Sequence, residues 1–111
     1  MRVITRVMFL DDDNEKFFGE GPYRLLRSVE ETGSLRKAAI SMNMAYTKAL
    51  KLLQNAEKNL GYKLLDRVTG GHDGGGSRLT AEGKEWLDKY EKFSRECMEN
   101  NQKLYEKYYG K

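Results

Sequence analysis

The spacing of apolar residues changes repeatedly along the chain, and each change predicts a new element. Val3 to Leu10 is rich in β-branched and apolar residues and runs into Asp11-Asp12-Asp13-Asn14, a cluster suited to a turn, which predicts a strand over 3–10. From Pro22 onward Leu25, Leu26 and Val29 share one helical face, and Thr32-Gly33 supplies a stop, giving a first helix. Ser34 is placed to cap a short second helix in which Leu35, Ala38, Ala39 and Met42 form a narrow stripe of mostly small residues, the kind another helix can cross closely. Asn43-Met44 breaks the pattern. A third helix follows from about Ala45 to Leu60, with Ala49, Leu52, Leu53, Ala56 and Leu60 inward, Tyr46, Thr47, Lys48 and Lys51 starting the outward stripe, and Gly61 as its end.

Tyr62 to Val68 then reads as a strand, Arg78-Leu79 begins a return strand, and Thr80 is placed to cap a last helix running from Ala81 to about Tyr109. The hairpin tip is Gly70-Gly71-His72-Asp73-Gly74-Gly75-Gly76-Ser77, where five of the 11 glycines lie within seven residues. Glycine leaves backbone N–H groups unshielded, so such a tip can lie close to a phosphate backbone. In the last helix Trp86, Phe93 and Asn100 take one position of a seven-residue frame and Tyr90, Cys97 and Leu104 another, which predicts a seam against a second copy of the chain. The expected fold is mainly α with a small β-hairpin: a winged helix-turn-helix with a long C-terminal dimerisation helix. Residues 1–80 are expected to form the winged domain with its N-terminal strand, and residues 81–111 the dimerisation helix.

Composition sharpens this. A chain of 111 residues with 39% hydrophobic content makes one small domain with a modest core, which a second copy would complete. A net charge of +3 says little alone, but it is distributed as −2 over residues 1–33, +5 over 34–80 and 0 over 81–111, so the positive excess falls on the helix-turn-helix and wing. The single cysteine, Cys97, excludes an intrachain disulfide and a multi-cysteine zinc site and fits a reducing compartment. Arg6 and the aspartates that follow rule out a signal peptide at the N-terminus, and no run approaches the roughly 18 apolar residues of a membrane span, so a soluble cytoplasmic protein is expected.

Enzymatic readings fail on particular residues. The glycine tip lacks the Gly-Lys-Ser/Thr ending of a P-loop and the Gly-x-Gly-x-x-Gly spacing. Asp11, Asp13 and Glu15 imitate the start of a calcium loop, but Lys16 stands at the glycine position and Pro22 at the final acidic one. His72 and Cys97 are single and far apart, which supports neither a zinc site nor a Cys-His pair. No catalytic residue, metal or cofactor is expected.

A polar, basic helix followed by a strand, a glycine-rich tip and a return strand suits double-stranded DNA, with the helix in the major groove and the hairpin at the backbone. Lys48, Lys51, Arg67 and Arg78 are the phosphate candidates, and Tyr46 and Thr47, in the first exposed turn, are candidates for base edges. Each has a plainer alternative: Lys48 and Lys51 as a solvated helix face, Tyr46 folded onto the second helix, Arg67 paired with Asp66 or Asp73, His72 a solvated loop residue, and the two helices an ordinary hairpin.

Thr32-Gly33-Ser34-Leu35-Arg36-Lys37-Ala38-Ala39, Met44-Ala45-Tyr46-Thr47-Lys48-Ala49, Gly70-Gly71, and Gly74-Gly75-Gly76-Ser77-Arg78-Leu79-Thr80-Ala81-Glu82-Gly83 together resemble the N-terminal domain of the ModE family of molybdate-responsive repressors. More distantly they resemble LysR-type winged helices. The resemblance runs from about Phe18 to Tyr90 and implies a homodimer that binds a pseudo-palindromic operator. On it, the DNA-facing set extends to Ser34, Arg36, Ala45, His72, Gly74, Gly75 and Ser77. Ala45 stands where the family commonly has serine, which weakens the cap of the third helix and removes a hydroxyl that could reach phosphate. ModE proteins also carry C-terminal molybdate-binding domains, for which these 111 residues leave no room, so the resemblance implies DNA binding and not oxyanion sensing. Two rival readings stay open here: a winged helix used for protein contact, and a small-molecule sensor in which Trp86, Tyr90 and Phe93 frame a pocket.

Overall fold

The structure, a computed structural model, describes residues 1–68 and 76–110. Its elements in chain order are β1 (Phe9–Leu10), β2 (Lys16–Phe18), α1 (Glu20–Thr32), α2 (Leu35–Ser41), α3 (Tyr46–Leu60), β3 (Leu65–Val68), β4 (Gly76–Leu79) and α4 (Ala81–Tyr109). The mainly α winged helix-turn-helix expected from the pattern is the fold observed.

The N-terminal strand is shorter than expected. Only Phe9–Leu10 pairs in a sheet, against Lys16–Phe18, a strand the sequence pattern did not reveal. The aspartate turn between them forms for a local reason: the Asp11 carboxylate accepts the N–H groups of Asp13 at 2.8 Å and Glu15 at 2.9 Å, and Asn14 takes the left-handed conformation that a short polar side chain tolerates. Residues 1–8 are instead laid antiparallel along α4. Tyr90 Oη donates to the Val7 carbonyl at 2.6 Å, Asn101 Nδ2 to Thr5 Oγ1 at 2.8 Å and Tyr105 Oη to the Met1 carbonyl at 3.2 Å.

Helix boundaries follow the local chemistry. α1 starts at Glu20, before the expected Pro22, because a first turn lacks intrahelical N–H bonds and proline fits there without loss. It ends on Gly33, whose φ of 71° and N–H to the Val29 carbonyl close the last turn. Ser34 caps α2, its hydroxyl accepting from Lys37 N. Ala45 precedes α3 with no side-chain cap, as its missing hydroxyl implied, and Gly61 at φ 83° ends that helix.

The core joins the two faces of this arrangement. Phe18, Leu25, Leu26, Leu64 and Leu87 are fully buried, and the small residues Ala38, Ala39, Ala49 and Ala56 let α2 and α3 sit closely together. Met42 and Leu60, expected inward, are half-buried at its edge, and Leu52, also expected inward, is half-buried. Trp86 and Tyr90 correct the seam expectation for α4. Both are occupied inside their own chain, with Phe18 meeting Trp86 edge-on at 5.4 Å and Tyr90 at 5.0 Å, and Phe9 meeting Trp86 at 5.1 Å. The core therefore runs past residue 80 into the first third of α4, and no boundary in packing falls at the expected division.

An ion-pair network also fixes α4 to α1. Arg27 of α1 reaches Glu30 at 2.8 Å and both Asp88 and Glu91 of α4 at 3.1 Å, while Lys84 bridges Glu30 at 3.0 Å and Asp88 at 3.3 Å. The Arg27 hydrogen bond holds the Asp88 carboxyl below its ordinary range, and the Tyr23 hydroxyl does so first for Glu91. For Glu30 partial burial works against the charge, but hydrogen bonds from Arg27 and Lys84 overcome it and the pKa is lowered. Beyond Tyr90 the helix leaves the core, and Phe93, Met98, Leu104, Tyr108 and Tyr109 stand exposed.

Candidate nucleic-acid interface

The hairpin that carries the wing is built into the domain by backbone contacts. β3 and β4 pair antiparallel with Leu65 opposite Leu79, Asp66 opposite Arg78, Arg67 opposite Ser77 and Val68 opposite Gly76. Ser77 N–H donates to the Gly33 carbonyl at 2.9 Å, so the return strand is tied to the turn between α1 and α2. Gly76 permits this approach: a Cβ there would lie 2.4 Å from the Gly33 oxygen. At the base of the hairpin Thr80 Oγ1 donates to the Lys63 carbonyl at 2.6 Å and accepts from Gly83 N at 2.8 Å, starting α4. Gly83 lets that helix touch the strand, since a Cβ would come within 2.4 Å of the Leu64 oxygen. The Leu-Thr-x-x-Gly motif is thus a joint between wing and helix.

One charged residue that the sequence reading missed completes the joint. The Glu57 carboxylate, on α3, accepts the N–H groups of Leu64 at 2.7 Å and Leu65 at 3.4 Å, satisfying backbone donors at the start of β3. The available signal was weak, an acidic residue on the otherwise apolar side of a basic helix.

Thr47, Lys48 and Lys51 are exposed on α3, Arg36 on α2, and Arg67 and Arg78 on the wing. Ser34 and Ser77 are half-buried, and both already have structural duties in the α2 cap and the Gly33 contact. Ala45 is exposed at the start of α3. Tyr46 is not free on the surface. Its ring packs against the core and lies beneath the Arg36 guanidinium, 4.5 Å from centroid to Cζ, which is the folding-back onto α2 that the sequence left as an alternative. A groove of about 210 Å³ between α3 and the wing brings Tyr46, Gln54, Arg67 and Ser77 to one place. Gln54, seven residues after Thr47 and exposed, was not among the expected residues, although that spacing put it on the same face. His72, Gly74 and Gly75 lie outside the described residues.

The cations divide into two populations. Arg6, Arg24, Arg27, Lys63 and Lys84 have carboxylate partners within 4 Å. Among the described residues Arg36, Lys37, Lys48, Lys51, Lys58, Arg67 and Arg78 of the middle third have none, as have Arg2, Lys16, Lys89, Lys92, Arg95, Lys103 and Lys107 elsewhere, and Arg67 does not pair with Asp66. What sets the middle third apart is that its unpaired cations, among the described residues, lie on α2, α3 and the wing where the net charge is +5, while those of residues 81–111 are balanced by acidic residues along the same segment. Among the described residues no group of three or more His, Cys, Asp or Glu could hold a metal ion, and no helix is long and apolar enough to cross a membrane.

A helix pair of this kind, followed by a hairpin and flanked by unpaired cations, defines a winged helix-turn-helix of the nucleic-acid-binding class. Residues 22–84 match the family of bacterial regulatory helix-turn-helix proteins of the lysR type, and the chain belongs to that family of DNA-binding transcription regulators. It is similar to the molybdenum transport protein ModE of Herbaspirillum seropedicae, 35% identical over 77 residues, which cover 69% of this chain and 29% of that protein. The transcriptional regulator ModE of Haemophilus influenzae is 35% identical over 72 residues, 65% of this chain and 28% of its own length. ModE of Azotobacter vinelandii is 31% identical over 83 residues, 75% and 31% respectively. The chain spans less than a third of the length of these relatives, and the similarity supports a ModE-like N-terminal helix-turn-helix domain.

Proposed function

We propose that the protein is a homodimeric transcription regulator that binds a pseudo-palindromic site in double-stranded DNA, with α3 in the major groove and the wing against the phosphate backbone. The observation that carries this reading is where unpaired charge is also unbalanced: among the described residues seven of the eight cations of residues 34–80, Arg36, Lys48, Lys51, Arg67 and Arg78 among them, lack a carboxylate within 4 Å in a segment of net charge +5, whereas the lysines and arginines of residues 81–111 are matched by as many carboxylates. Unpaired cations spread over two helices and a hairpin attract a polyanion without first breaking an ion pair. Thr47 and Gln54 are the groove-facing candidates, since a hydroxyl or a carboxamide can read base edges. Phosphate contacts fall to the lysines and arginines.

The dimer is assigned to the distal part of α4, through Phe93, Cys97, Asn100 and Leu104, with Trp86 and Tyr90 remaining in the core of each subunit. Residues 1–8 cover this stretch of α4 on one side, and Phe93 and Leu104, about half exposed, leave an apolar stripe at seam spacing that a second copy can cover. Two linked half-sites would then be occupied together, coupling dimerisation to DNA affinity.

The test is a binding titration of Lys48→Glu, Lys51→Glu double variant on duplexes selected from a random pool. The expected outcome is loss of DNA binding with the dimer intact in sedimentation. Unchanged DNA affinity, with loss of a protein partner instead, would identify the wing and helix as a protein-interaction module.

A further inference from the structure

We infer that Arg36 and Tyr46 act as one phosphate clamp, in which the tyrosine ring is a platform that aims the arginine at the DNA backbone. This rests on the DNA-binding reading above and assigns to Tyr46 a different task from base reading. The two residues lie on successive helices, Arg36 in the first turn of α2 and Tyr46 at the first position of α3. The turn between those helices brings the guanidinium carbon to 4.5 Å from the ring centroid, well inside cation–π range.

The ring is held from below. Tyr46 is half-buried against the core and shares its groove with Leu35 and Leu53, so its face is fixed by folding. Arg36 is exposed and makes no ion pair among the described residues. A guanidinium stacked on a ring keeps its in-plane N–H groups available, and that planar fork matches two oxygens of a phosphate. An arginine in solution loses rotamer freedom when it grips a ligand; one already resting on a ring loses less, which raises affinity without any new contact to DNA. The ligand is the backbone and not a base because the first helix of such a pair crosses the phosphates while the second enters the groove. Tyr46 is accordingly a positioning residue that works through Arg36.

The experiment is a fluorescence anisotropy titration of a labelled mixed-sequence duplex over a series of KCl concentrations. It compares wild type with Arg36→Met, Tyr46→Leu, the double variant and Tyr46→Phe. Arg36→Met is expected to weaken binding and to reduce the slope of log affinity against log salt by about 0.9 per protomer bound. Tyr46→Leu is expected to weaken binding about threefold to tenfold when Arg36 is present and to add nothing when Arg36 is already methionine. Tyr46→Phe keeps the ring face and rescues the loss seen with leucine. An equal cost of Tyr46→Leu in both backgrounds overturns the clamp, as does an unchanged salt slope in Arg36→Met. Failure of Tyr46→Phe to rescue overturns it in favour of a hydroxyl that reads DNA directly. Where a thermal melt shows Tyr46→Leu unfolded, Arg36→Lys decides: it keeps the charge without the stacked fork, and wild-type affinity in that variant rejects the clamp. Wild type with no salt-dependent duplex binding overturns the DNA-binding reading itself, and the clamp with it; salt-dependent binding with uncoupled variants overturns the clamp alone.

Discussion

Replacing Thr80 by valine nearly preserves side-chain shape and removes one hydroxyl, which caps α4 by accepting from Gly83 N at 2.8 Å and donates to the Lys63 carbonyl at 2.6 Å. The residue is only 9% exposed, so water cannot readily take the place of the hydroxyl. Loss of a threonine cap costs about 1 kcal/mol. Depriving the partly buried Lys63 carbonyl of its donor adds about 1 kcal/mol more, giving an expected destabilisation of about 2 kcal/mol. Urea unfolding followed by far-ultraviolet circular dichroism measures it, at one fixed protein concentration because the stability of the proposed dimer would depend on concentration. The midpoint is expected to fall by about 1–2 M with an unchanged slope. Thr80→Ser, which retains the hydroxyl, is expected to lose less than half as much. If the valine variant unfolds within about 0.5 kcal/mol of wild type, or the serine variant falls as far as valine, the hydroxyl is not the joint between wing and helix that its geometry indicates.

Gly83→Ala would gain up to about 1 kcal/mol of helix propensity, but its Cβ would lie 2.4 Å from the Leu64 oxygen, and overpacking against backbone costs about 1–3 kcal/mol. A lower melting temperature is therefore expected, and one at or above wild type would contradict close helix–strand contact. The lowered carboxyl pKa values of Glu30, Asp88 and Glu91 make their contribution to stability complete above the unfolded values of 4.5 and 3.8. It is lost as pH falls below those values through the lower folded ones, so the urea midpoint should drop in that acid range. Arg27→Met should flatten that dependence, and superimposable pH profiles for the two proteins would refute the network's role. Phe93→Ser with Leu104→Ser is expected to shift sedimentation toward monomer while leaving helical content and the core intact. An unchanged association state would remove the distal helix from the interface.

What was legible in the sequence was local. Gly33 and Gly61 end helices because only a residue free of Cβ strain takes their positive φ easily, and Ser34 and Thr80 cap because their hydroxyls reach an N–H three residues on. These interactions act over a few residues, so spacing reveals them. The strand over 3–10 failed because apolar, β-branched composition reports an extended, half-covered segment without naming its cover. Most of that segment is held by Tyr90, Asn101 and Tyr105, at the other end of the chain. The seven-residue frame in α4 failed at Trp86 and Tyr90 for the same reason, since periodicity says that a face is apolar and not whose atoms lie against it.

Charge shows most clearly what a sum along the chain leaves out. Residues 81–111 balance to zero, which suggests a helix satisfied by its own neighbours, yet Lys84, Asp88 and Glu91 all reach across to α1. Residues 34–80 carry +5, and of their described cations Lys63 finds a carboxylate within 4 Å, at Glu57. The difference is topological. α1 and α4 come within side-chain reach, so Arg27 and Lys84 pair across them, whereas on α2, α3 and the hairpin, among the described residues, every cation but Lys63 lacks a carboxylate within 4 Å. Cations left without carboxylate partners are free to neutralise phosphates, and duplex DNA carries a condensed atmosphere of counterions. In the proposed complex each phosphate neutralised by a lysine or arginine releases counterions from the DNA, and that release, more than any one hydrogen bond, is the driving force available to this face of the molecule.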